Sequence, residues 1–284
     1  MKGKVCLVTG ATSGIGAVTA RELAELGATV VGIGRDPERC AAREREIRLK
    51  TGNQNVRFLV ADLSSQAQVR AVAATVMNTY QNLHVLVNNV GGLFPTIERS
   101  VDGIELTLAL NHLAPFLLTL LLLDRIKASA PARIVVVSSG AHVGATIDFD
   151  HLQDQPGAGG FRTYGQSKLA NLYFTYELAR KLAGTGVTVN ALHPGFVATG
   201  FGRGGKGLMG SVLAVVMPIA QLFALSEEDG AKTSVYLASS PEVEGVSGTY
   251  FAKQKALASS AVSYDEATAK RLWELSLHLT GLSG

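Results

Sequence analysis

Short apolar runs rich in valine alternate along the chain with longer stretches in which apolar residues recur every three or four positions. The first kind predicts strands buried on both faces, and the second predicts helices that cover them. Strands are expected at Val5–Thr9, Thr29–Ile33, Val56–Val60, Val85–Val87, Ile134–Ser138, Val187–Leu192 and Gly248–Phe251, with helices filling most of the intervals. In the first interval Ile15, Val18, Leu23 and Leu26 keep helical spacing, and Gly27 suits the left-handed residue that ends such a helix. Tyr264–Leu279 is a terminal helical pattern that could pack at a subunit interface. Glycine-rich stretches at Gly157–Gly160 and Gly200–Gly207 fall between elements and read as mobile loops.

The alternation is that of βαβ units. The expected fold class is therefore α/β, a doubly wound Rossmann-type parallel sheet of about seven strands with helices on both faces. A length of 284 residues with 47% hydrophobic and 17% charged composition suits one large domain over residues 1–284. A net charge of +3, from acidic and basic residues interspersed, gives no basic stripe, so no nucleic-acid partner is expected. Cys6 and Cys40 have neither metal-ligand spacing nor the density of a disulfide framework, which suggests a reducing compartment and no metal. With no targeting stretch visible after Met1, the expected location is cytoplasmic. Gly207–Leu225 is uncharged over 19 residues, but Gly210, Ser211, Pro218 and Gln221 weigh against a membrane span. A hydrophobic lid over a substrate pocket, at about 200–225, is the preferred reading, with peripheral membrane contact as the alternative.

The candidate chemistry begins after the first strand, at Thr9-Gly10-Ala11-Thr12-Ser13-Gly14-Ile15-Gly16. Glycines there let backbone N–H groups approach a pyrophosphate, and the helix N-terminus adds partial positive charge. The spacing is not the common G-x-G-x-x-G, and a tight strand-to-helix connection would read the same way. The end of the second strand bears on the choice of nucleotide. An acidic side chain there would bond ribose hydroxyls, whereas this chain has Gly34 followed by Arg35, whose guanidinium could pair with a 2′-phosphate. NADP(H) is thus preferred, with NAD(H) as the alternative. Arg35 could also be a solvated charge at a helix entry, and Asp36 is a good N-cap for a helix opening at Pro37.

Farther on, Tyr164 and Lys168 lie four residues apart and would share one helix face, where an ammonium can tune a phenol for proton transfer. Ser139 ends the fifth strand, where its hydroxyl could orient a substrate oxygen, and Ser138 competes for that role. Asn111 stands in an otherwise apolar stretch, Leu106–Leu123, where a buried amide needs partners. His112 beside it reads as a packed histidine.

Together Thr9-Gly-x-x-x-Gly14-x-Gly16, Asp62, Asn88-Asn89-Val90-Gly91, Asn111, Ser139, Tyr164-x-x-x-Lys168 and Pro194-Gly195 with Thr199 resemble the short-chain dehydrogenase/reductase family over nearly the whole chain. The long interval between Ser139 and Tyr164 and the Gln166–Asn171 segment resemble its retinol-dehydrogenase-like branch. The resemblance implies hydride transfer between a nicotinamide cofactor and an alcohol or carbonyl. Tyr164 would be the acid/base, Lys168 and Asn111 the proton relay, with Asn111 bending its helix and holding a water, and Ser139 the substrate orienter. It also implies cofactor contacts from Gly10, Thr12, Ser13, Gly14, Ile15, Gly16, Arg35, Asp62, Leu63, Asn89, Gly91, Tyr164, Lys168, Pro194, Gly195, Val197 and Thr199. Asp62 would meet the adenine, although it and Ser64 also suit a helix N-cap. Val90 departs from the family's usual alanine. The expected partner is a hydrophobic carbonyl or alcohol, and a homo-oligomer, dimer or tetramer, is anticipated. Two other readings stand beside this one. A non-catalytic NADP-binding scaffold or sensor would be suggested by loss of one of these four residues. A nucleotide-sugar epimerase would need a larger C-terminal part than the chain has after Thr199.

Overall fold

The computed structural model describes residues 1–153, 160–195 and 225–283. Its sheet runs in the order β3-β2-β1-β4-β5-β6-β7-β8. The strands are β1 (Val5–Thr9), β2 (Thr29–Gly34), β3 (Val56–Val60), β4 (Val85–Asn88), β5 (Ala132–Val137), β6 (Val187–Leu192), β7 (Thr249–Ala252) and β8 (Lys255–Leu257). All adjacent pairs are parallel except β7 with β8. Successive strand residues point to opposite faces, so Leu7 joins one core layer while Cys6 and Val8 join the other. One layer contains α3 (Gln66–Thr79), α5 (Ala114–Ala128) and α6 (Phe161–Lys181). The other contains α1 (Gly14–Glu25), α2 (Pro37–Thr51) and α7 (Glu227–Ser239). Both faces of the central strands are therefore covered, which is why those strands read as apolar runs, whereas the edge strands β3 and β8 have exposed residues.

The expected strands are all present, with ends displaced by up to two residues, and β8 is an addition. Lys253 and Gln254 both have positive φ, 49° and 61°, and form a two-residue hairpin without glycine or asparagine. Its strand is short and exposed, so neither turn chemistry nor hydrophobicity announced it. In α1 the predicted stripe holds except at Leu26, which is 45% exposed and lies past the last helical turn, while Gly27 takes the left-handed conformation, φ 85°.

α4 (Leu106–Leu108), a π turn (Ala109–Leu113) and α5 form one 23-residue apolar helix, most of it buried inside the fold. The last helix, α8 (Glu266–Thr280), packs on α6. Its Trp273 lies 5.0 Å from Phe116 and 6.1 Å from Phe174, ring centre to ring centre. This side of α8 packs within the chain.

Between β1 and β4 the strand order reverses, which opens a crevice at their carboxyl ends. Thr9 and Asn89 stand on its two sides.

Candidate active site

Hydrogen bonds lace the two strand ends together. The Thr9 hydroxyl donates to the Val87 carbonyl at 3.3 Å and accepts the backbone N–H groups of Asn89 and Val90 at 2.9 and 3.0 Å. The Asn89 amide donates back to the Thr9 carbonyl at 2.8 Å. Above this brace runs the glycine turn. Gly10 and Gly14 have φ of 65° and 57°, and a Cβ on Gly16 would lie 2.4 Å from both the Gly10 carbonyl oxygen and the Asn89 amide. Only glycines let the turn close so tightly, with Gly10, Thr12, Ser13, Gly14 and Ile15 leading into α1. α1 has no acidic residue in its first turn, and its N-cap Ser13 makes no side-chain bond to the helix. The cradle and the helix dipole together fit a dinucleotide pyrophosphate.

The adenosine end is shaped by a steric limit. A Cβ on Gly34 would lie 2.3 Å from Thr12 Cγ2 and 2.8 Å from Cys40 Sγ, so no acidic side chain fits at that position without displacing both. Arg35 follows and is exposed. Asp36 caps α2 by accepting the Arg39 N–H at 3.0 Å, the capping role expected for it. A second guanidinium, which the sequence reading missed, comes from Arg43: it donates to the Thr12 carbonyl at 3.3 Å and pairs with Glu46 at 2.6 Å. Asp62 does not cap α3, because Ser65 does, accepting the Gln68 N–H at 3.4 Å. The Asp62 carboxylate instead accepts the Ser64 N–H and hydroxyl at 2.9 and 2.8 Å, beside buried Leu63.

The second half of the site is carried by β5, the π turn and α6. Lys168 is 3% exposed; its ammonium donates to the Val137 carbonyl at 3.0 Å and lies 5.6 Å from the centre of the Tyr164 ring. Burial pulls its pKa down to about 8. Burial pushes the Tyr164 phenol up, and a hydrogen bond with the Ser139 side chain opposes that shift. Ser138, the competing serine, donates to the Lys168 carbonyl at 2.7 Å and so ties β5 to α6. Ser139 is the serine that meets Tyr164.

Asn111 sits in the π turn, an irregularity of the helix at the position where a bend is expected. Its amide is held by protein: Oδ1 accepts the Gly92 N–H at 2.8 Å, and Nδ2 donates to the Gly92 carbonyl at 2.9 Å and to Ser167 Oγ at 3.0 Å. These bonds tie Asn111 to Gly92 and to Ser167, one residue before Lys168. Gly91 lies close by, where a Cβ would stand 3.2 Å from both Asn111 Oδ1 and Lys168 Nζ. His112 is a packed histidine, 2.9 Å from the Ser276 hydroxyl, and its burial lowers its pKa to about 4. Among the described residues no group of His, Cys, Asp and Glu could hold a metal.

Pro194 and Gly195 follow β6, and Gly195 takes a φ of 87° against Leu225. Val197, Thr199 and most of the expected lid at 200–225 lie outside the described residues.

The profile of the short chain dehydrogenase family matches residues 4–204. Human retinol dehydrogenase 13 is 44% identical over 283 residues, covering 99% of this chain and 85% of that protein. Mouse retinol dehydrogenase 12 is 41% identical over 280 residues, with coverages of 99% and 87%. Among solved structures, an uncharacterised protein from Mycobacterium paratuberculosis superposes with a TM-score of 0.78 at 31% identity, covering 99% of this chain and 95% of the other. A short chain dehydrogenase from Burkholderia cenocepacia, solved in complex with NADP, gives a TM-score of 0.69 at 28% identity, with coverages of 88% and 96%.

Proposed function

The chain belongs to the short-chain dehydrogenase family, in its retinol-dehydrogenase-like branch, and on that premise we propose that it interconverts a hydrophobic aldehyde or ketone and its alcohol with NADP(H). The observation that carries the reading is the convergence of Ser139, Tyr164, Lys168 and Asn111 at the carboxyl edge of the sheet, beside the glycine cradle. A bound nicotinamide supplies or accepts the hydride. The protein handles the proton. Ser139 orients the carbonyl oxygen, and Tyr164, whose pKa burial raises, gives its proton as that oxygen becomes an alkoxide. The Lys168 ammonium stabilises the phenolate left behind.

The preference for NADP(H) is supported by Gly34, where Thr12 and Cys40 fill the space an acidic side chain would need, and by the exposed Arg35 that follows. That relatives are named retinol dehydrogenases supports a long apolar alcohol or aldehyde as the substrate of this chain. The test is a panel of retinal, straight-chain aldehydes and aryl ketones with NADPH or NADH, run alongside Arg35→Ala. NADPH-dependent turnover that loses about tenfold in kcat/KM in the variant is expected, with NADH rates unchanged. Equal use of both cofactors would remove the NADP reading, and cofactor binding without turnover would favour a sensor.

A further inference from the structure

Two histidines flank the ring of Tyr250 beneath the site. His142 meets that ring edge-on with centres 5.1 Å apart, and His193 stacks on it at 5.8 Å. His142 closes the short 3-10 turn Gly140–His142 that Ser139 caps. His193 directly follows β6 and precedes Pro194–Gly195, while Tyr250 belongs to β7, paired with Ala191. The stack therefore joins the two loops that border the reacting end of the crevice.

Backbone partners fix which nitrogen carries the proton in each ring. His142 Nδ1 lies 2.7 Å from the Ser139 carbonyl oxygen, which can only accept, and His142 Nε2 lies 3.1 Å from the Ser260 N–H, which can only donate. Nδ1 is thus protonated and Nε2 bare. In His193 the order is reversed, because its Nδ1 accepts the Gly195 N–H at 3.1 Å. Ser260 belongs to a well-anchored segment, since the neighbouring Ser259 hydroxyl bonds both Tyr176 and Ser263 at 2.6 Å.

We propose that His142 is a positioning residue for Ser139: its Nδ1–H holds the Ser139 carbonyl against a fixed scaffold at Ser260, and so sets the backbone from which the Ser139 hydroxyl meets Tyr164 and the substrate oxygen. The inference rests on the proposed role of Ser139. The same carbonyl also accepts the His142 backbone N–H at 3.2 Å, so both its lone pairs are taken and the peptide plane has little freedom to rotate. The two-sided bonding requires a neutral imidazole, since a proton on Nε2 would face the Ser260 N–H, and burial shifts the pKa of His142 downward in the same sense.

Three substitutions separate positioning from packing. In His142→Asn the amide reaches the Nδ1 position, in His142→Gln it reaches the Nε2 position, and His142→Phe keeps a ring on Tyr250 with neither bond. Carbonyl reduction at saturating NADPH should fall by about tenfold or more in kcat for Gln and Phe, while Asn stays within about threefold of wild type. The Kd for NADPH and the Tm should be alike in the Asn and Gln variants. Long-range 1H–15N correlation in the wild-type protein should show His142 as the Nδ1–H tautomer. Equal kcat in Asn and Gln, losses that follow Tm alone, or an Nε2–H tautomer would each overturn the proposal while wild-type turnover leaves the oxidoreductase reading intact. Absence of wild-type turnover on the whole panel would remove both.

Discussion

The Lys168 ammonium is tied to the carbonyl of Val137, 3.0 Å away, two residues before Ser139 on the same backbone. The cation is therefore fixed to the strand that presents the serine, and its burial sets a stability cost. In the folded protein its pKa is about 8, against 10.5 for a free lysine, so between these values the unfolded chain holds more protons and stability rises with pH. Below about pH 8 the buried charge costs up to about 3 kcal/mol. Lys168→Met should abolish turnover yet raise Tm at pH 7, with the gain shrinking toward pH 10. A lower Tm in the variant would show that the bond to Val137 outweighs the desolvation of the charge.

Tyr164→Phe removes the acid without emptying the space. Turnover should drop by ~10³-fold while the Kd for NADPH changes less than about threefold. Residual activity near wild type would assign the proton to another group.

Gly91 stands where a single methyl group would press on both Asn111 and Lys168 at 3.2 Å. Gly91→Ala should lower kcat by roughly tenfold or more, because displacement of the lysine misaligns the relay. Steady-state kinetics with matched NADPH saturation measure this, and an unchanged kcat would mean the lysine shifts freely.

His112 is neutral when folded down to about pH 4, while in the unfolded chain it takes a proton near 6.5. The unfolded state thus binds more protons between those values, and stability should fall by about 3 kcal/mol as pH drops from 6.5 to 4. Urea unfolding of His112→Asn should show a flatter slope over that range, whatever its absolute stability. An identical slope would place the acid sensitivity elsewhere.

How much was legible in the chain follows from how each feature is encoded. The parallel strands are read easily because burial on both faces makes them apolar runs, as in Ile134–Val137. β8 is not, because its turn relies on Lys253 and Gln254 at positive φ and its residues are exposed. Tyr164, Lys168 and Ser139 carry their chemistry in their residue type. The division of labour between Ser138 and Ser139 does not, since strand geometry alone points one inward to α6 and the other toward Tyr164. Gly34 is legible as a missing acid, but the reason no acid fits lies in Thr12 and Cys40, which only folding brings together. His142 and His193 gave no signal at all, being isolated histidines whose meaning depends on backbone partners that only the folded loops present, among them the distant Ser260.

The packing of α8 on α6, through Trp273 against Phe116 and Phe174, has a consequence for synthesis. The helix that bears Tyr164 and Lys168 leaves the ribosome long before the segment that covers its outer side. Until translation reaches α8, the side of Phe116 and Phe174 that Trp273 covers stays open to water, so the nascent chain is the form expected to be most in need of a chaperone.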